Sequence, residues 1–198
     1  MLFDAMKRFG FDADNVMSEI AQMEMALAKV SVESNIELLF KVAMITETGV
    51  SIMRDDATPV EEILDHVSSS IDKGIVTATT TIFPGKVAKL SDDEVEGMVM
   101  ASSEDDEYVS DMAHQIIDSD DFERVKDVVI CIVQYKKDGD SKALMMVSDV
   151  TEKPTGGQTL GAIECVGFSN TDNVPVRGDF IFDGTKFTEW PIPNGWKE

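Results

Sequence analysis

Apolar positions recur with helical spacing through the first half of the chain and with strand-like texture through the second. Residues 1–11 form a short apolar arm, in which Leu2, Met6 and Phe9 share one helical face and Gly10 is a stop signal. A helix is predicted from Asp14 to Val30. Its apolar residues Val16, Ile20, Met23, Leu27 and Val30 alternate steps of four and three, a heptad-like seam. So short a seam fits either packing on a core or pairing with a second copy of the helix. Self-association as a homodimer is the expectation drawn from it.

Residues 32–47 continue the pattern, with Val32, Ile36, Leu39, Phe40, Ala43 and Met44 on one face, and predict a second helix stopped near Gly49. The β-branched content of this stretch leaves a strand open. Thr58-Pro59-Val60-Glu61 announces another helix. Thr58 is the expected cap, Pro59 the first turn, and Val60, Ile63, Leu64, Val67 and Ile71 the buried stripe. Ile75 to Phe83 is β-branched and aromatic and reads as a strand, with Pro84-Gly85 turning the chain. Ser91-Asp92-Asp93-Glu94 opens a helix, and Tyr108, Val109, Met112, Ala113, Ile116 and Ile117 line a further one.

From Val128 the pattern becomes that of strands. Val128–Tyr135 and Leu144–Val150 flank a hairpin turn at Asp138-Gly139. Pro154-Thr155-Gly156-Gly157 is a loop leading to a strand near Gly161–Phe168, and Asp179–Phe182 with Lys186–Trp190 reads as a closing hairpin. The order predicts an α+β class. N-terminal helices, in a part spanning about 12–127, pack on one face of a mostly antiparallel C-terminal sheet at about 128–190. The arm and one domain, 12–198, account for the chain.

Composition adds that 43% of the 198 residues are hydrophobic, enough for a sizeable core. No run approaches about 18 apolar residues, so no membrane span is expected, and the first residues lack the apolar run of a signal peptide. Two cysteines, Cys131 and Cys165, fall in predicted strands and read as buried thiols of a cytoplasmic protein, in a host cytoplasm if the source is viral.

Charge changes the picture most. With 38 acids and 17 bases the formal net charge is −21. Direct nucleic-acid binding needs Lys and Arg against phosphates, and this field has the opposite sign. Anionic membranes are disfavoured for the same reason. A basic or nucleic-acid-binding protein is steered toward such a chain. The acidity is concentrated: residues 92–127 hold 14 acids against two bases, Arg124 and Lys126, a net of −12. Asp92, Asp93, Glu94, Glu96, Glu104, Asp105, Asp106, Glu107, Asp111, Asp118, Asp120 and Asp121 are the expected partner-binding residues. Acids in first helical turns are accounted for by the helix dipole. Asp118, Asp120 and Asp121 follow a predicted helix and oppose its dipole.

Motifs for chemistry are weak. His114 has Asp111 and Asp118 at helical spacing but lacks the further ligands of a zinc site. Asp118-Ser119-Asp120-Asp121-Phe122 begins like a calcium loop without its later ligands. Gly156-Gly157-Gln158-Thr159-Leu160-Gly161 has no Lys-Ser/Thr and is no phosphate loop. No catalytic residue, metal or cofactor is expected. The function expected is a non-enzymatic acidic binding module, in its sharpest form an inhibitor of phage or mobile-element type that imitates nucleic-acid charge. The alternatives are a self-associating structural or assembly protein and, behind it, an enzyme built on paired carboxylates.

Overall fold

In a computed structural model the described residues are 12–88, 124–137, 140–169 and 187–188. The element order is α1 (Ala13–Glu33), β1 (Lys41–Thr46), β2 (Val50–Arg54), α2 (Val60–Asp72), β3 (Val76–Ala88), β4 (Val125–Lys137), β5 (Asp140–Glu152), β6 (Gln158–Ser169) and β7 (Phe187–Thr188). The chain is of the α+β class. The described strands form one seven-stranded sheet in the order β2-β1-β3-β4-β5-β6-β7. β1 pairs antiparallel with β2 and β3, and β6 with β5 and β7.

The chain divides into two compact units, Met1–Pro84 with Val129–Glu198, and Gly85–Val128. The first holds both described helices and most of the sheet. Of the second, the described residues are the outer ends of β3 and β4.

The sheet begins earlier than the helical spacing of residues 32–47 predicts. There is no second helix at that place: α1 ends at Glu33, and β1 occupies 41–46. The stop signal is Ser34-Asn35. The Ser34 N–H donates to the Val30 and Ser31 carbonyls, and Asn35 takes the left-handed conformation at φ 55°, which Asn tolerates better than most residues. Val42, Ala43, Met44 and Ile45 are all buried. A strand covered on both faces has no alternation, so its apolar run also matches helical spacing. Among its described residues, the part expected to be helical over 12–127 therefore holds β1 and β2 besides the strand read at Ile75–Phe83, and the start of β4.

Pro84-Gly85 does not end β3, which continues to Ala88. Its ladder with β1 closes at Lys41↔Ile82, so Pro84 lies past the pairing on that side and costs it no hydrogen bond. At α2 the first helical bond runs from the Ile63 N–H to the Pro59 carbonyl at 3.1 Å. The cap position thus falls on Pro59, one residue after the expected Thr58.

Two apolar clusters lie on opposite faces of the sheet. Ala13, Met17, Ala21, Met25 and Ala28 of α1 pack with Ile45, Ala78, Ile82, Val129, Cys131, Val133, Leu144 and Met146. Ile63 and Val67 of α2 pack with Phe40, Val42 and Met44. Ile45 belongs to the first cluster and its neighbour Met44 to the second, and successive strand residues point to opposite faces. The helices therefore cover opposite faces instead of the single face expected. The loop at 154–157 is a tight turn. Lys153 N–H donates to Gly157 O at 2.8 Å, Gly156 N–H donates to Lys153 O at 2.9 Å, and both glycines have φ near +85°, where a Cβ is strained.

Candidate protein interface

The helix α1 is held down by three acids, each placed where the fold offers a base or a hydroxyl. Near its start, Asp14 accepts a 2.5 Å bond from the Tyr135 hydroxyl of β4 and a 3.1 Å bond from the Lys142 ammonium of β5. Midway, Glu24, itself buried, pairs with Lys41 of β1. At its end, Glu33 accepts from the Thr159 hydroxyl at 2.6 Å and lies 3.4 Å from the Lys153 ammonium. Burial and the bond to Asp14 push the Tyr135 phenol well above its ordinary range, so it stays a donor. Burial, with Glu24 nearby, raises the Cys131 thiol, which leaves a packing residue without thiolate character. The Thr159 bond and then the Lys153 charge lower the exposed Glu33 carboxyl.

These contacts fix which way α1 faces. Its buried stripe is Ala13, Met17, Ala21, Met25 and Ala28. The heptad seam read from hydropathy is another stripe. Met23, Leu27 and Val30 are 55%, 54% and 61% exposed. Val16 is half-buried, and Ile20, also half-buried, touches the edge of the core. The structure thus presents three of the five expected seam residues on an open helix face and leaves two at its margin. At 100° per residue the stripe is centred about 130° around the axis from the buried face.

The stripe has a definite flank. Around the axis Glu24, which reaches toward β1, lies between the core face and the stripe, whereas Asp14 and Glu33 reach the other way, toward β5 and β6. The stripe is therefore on the β1 side. Val50 and Ile52 of the edge strand β2 are also mostly exposed. They pair with Ile45 and Ala43, so they stand on the face of the sheet that α1 covers. Met23, Leu27 and Val30 thus form an exposed apolar stripe on α1, and Val50 and Ile52 are exposed on the sheet face that carries this helix. Exposed apolar surface of this kind marks interaction sites.

The twelve acids expected to bind a partner, Asp92 to Asp121, all lie outside the described residues, as do the arm Leu2–Phe9 and His114. Asp127, at the end of that acidic run, is exposed on β4. Among the described residues no group of three or more His, Cys, Asp or Glu could hold a metal ion, and no helix is long and apolar enough to cross a membrane. Comparison with family models, with curated proteins and with solved structures gave no match.

Sequence reasoning found the outer stripe but could not say that it was open. It missed the edge residues Val50 and Ile52, because a five-residue strand between Gly49 and Arg54 was not read as one. The signal was present as Val50-Ser51-Ile52-Met53, a short β-branched alternation.

Proposed function

We propose that the protein is a non-catalytic binding module whose acidic surface docks a basic protein, in its sharpest form a nucleic-acid-binding protein whose phosphate site it occupies by imitation. The observation that carries this reading is the net −12 of residues 92–127 within a total of −21. So dense a charge repels itself and costs stability. Solubility alone asks for a magnitude of only about 2–8 in a small domain.

The ion pairs add support. Lys41, Lys142 and Lys153 are engaged by α1 acids, and Arg54 lies 3.3 Å from Asp56. Each pair cancels one acid with one base, so the excess of 38 acids over 17 bases is carried by the remaining acids and the outer field stays negative.

The test is competition. Immobilised protein is offered a host lysate at about 50 mM and about 200 mM salt, and bound proteins are challenged with duplex DNA or with RNA. The reading expects a basic nucleic-acid-binding protein that is held at low salt, falls away at high salt as phosphate contacts do, and is displaced by nucleic acid. Replacing Asp118, Asp120 and Asp121 by Lys should weaken its retention with the far-ultraviolet spectrum unchanged. Retention that ignores both salt and nucleic acid would sink the mimic.

A further inference from the structure

We infer that the outer stripe of α1, Met23, Leu27 and Val30 with Val16 and Ile20 at its margin, is a docking site for an amphipathic helix of a partner protein whose apolar seam is flanked by Lys or Arg. The inference deepens the basic-partner reading and rests on it: it names a surface on the folded unit that this partner would grip.

The form of the occupant follows from spacing. Alternate steps of three and four keep a stripe in register with another α-helix, because a 3.5-residue repeat holds its seam against a helical partner. An extended strand, with its period of two, does not match it. Helix-in-groove recognition uses anchors of this kind. The stripe is open for it, since Met23, Leu27 and Val30 are each more than half exposed on a helix that three acid contacts hold in place.

The charge of the occupant follows from the column beside the stripe. One position outward stands the exposed Glu19, with Ala26 a heptad further on, while Glu33, next in the series, is turned to Thr159 and Lys153. No base stands among them. The base of this helix, Lys29, points about 130° away from the centre of the stripe. Flanking charges of a helix pair set the choice of partner. A second copy would bring the same Glu19 and another net −21, so like would meet like. A basic helix meets opposite charge over an apolar seam.

Three synthetic peptides of about four heptads serve as probes. One has Leu along the seam and Lys beside it, the second has Glu in place of Lys, and the third scrambles the first. Binding to the full chain is read by fluorescence anisotropy. The inference expects the Lys peptide to bind at least about tenfold tighter than the other two. Met23→Gln with Leu27→Gln should weaken it about tenfold or more, as loss of central apolar anchors does. These positions are exposed, so melting should be unchanged. Replacing Asp118, Asp120 and Asp121 by Asn should leave peptide binding within about threefold.

Binding lost in the Asn variant and kept in the Gln variant would overturn the stripe as the site while leaving the acidic-segment reading standing. Equal binding of ordered and scrambled peptides would overturn it too, as would no binding at all. A native dimer that the Gln variant turns into a monomer would give the stripe to a second copy and overturn the inference in that way.

Discussion

The two stripes of α1 invert the usual expectation about hydropathy. The outer one carries Ile20, Met23, Leu27 and two valines, yet its central residues face outward. The inner one is built from Ala13, Met17, Ala21, Met25 and Ala28, and is buried. Three alanines at the contact let the helix lie close to the sheet, where β-branched and leucine side chains would hold it away. The two methionines, unbranched and fully buried, are suited to fill what the alanines leave. Small side chains at the contact, rather than high hydropathy, mark the buried stripe. Bulkier apolar residues are then left for a surface.

The sharpest way to break this comparison is to truncate one residue from each stripe. Met25→Ala removes a fully buried side chain and leaves a cavity against the sheet, and should cost about 2–5 kcal/mol. Leu27→Ala should change stability by no more than about 0.5 kcal/mol, because little of it is removed from water. Urea denaturation of the two variants measures both. Similar losses would mean that the outer stripe is buried in solution, by this chain or another copy. Overpacking gives the complementary probe: Ala21→Leu should cost about 1–3 kcal/mol if approach distance is the controlling variable.

A smaller effect is expected from the pair that fixes the helix's rotation. Glu24 is buried between the core and the β1 flank, and Lys41 reaches it with most of its side chain covered. Glu24→Gln leaves the ammonium without its counter-charge and should cost about 2 kcal/mol. Replacing both together, Glu24→Gln with Lys41→Met, should recover part of that loss, because neither polar group is then stranded. A double-mutant cycle in urea reads the coupling. A cycle with no coupling would say that α1 is oriented by its apolar contacts alone.

The sequence showed α1 and α2, most of the later strands and the α+β class, because α2's stripe and the runs in β4 and β5 are strongly patterned. It did not show β1, since Val42 to Ile45 is buried on both faces and has no period of its own. It showed the outer stripe by spacing and could not separate it from the core, since hydropathy ranks Leu27 above Ala28. The clamp of Asp14, Glu24 and Glu33 was hidden for another reason. Its partners Tyr135, Lys41 and Lys153 lie far off in sequence, and an acid on a helix pairs with them only once the sheet order is known.

The mildest contrast lies at the end of the clamp. Glu33 is exposed, and its carboxyl is lowered from 4.5 by the Thr159 hydroxyl and then by Lys153. A carboxyl lowered in the folded state stabilises the fold above its unfolded value, and this contribution fades as pH falls through the folded value. Glu33→Gln removes the charge but keeps an acceptor for Thr159. At pH 7 the variant should melt slightly below the parent, and the gap should hold down to about pH 5. Below about pH 4.5 it should narrow, because the unfolded parent then takes up a proton that the folded carboxyl still refuses, and it should close once pH has passed the folded value. Taking the difference between the two proteins cancels the titration of the other carboxylates they share. No gap at pH 7 would show that the hydroxyl bond holds the helix end without help from charge. The clamp would then reduce to its two covered pairs, at Asp14 and Glu24, and α1 would owe its orientation to those and to the alanine face.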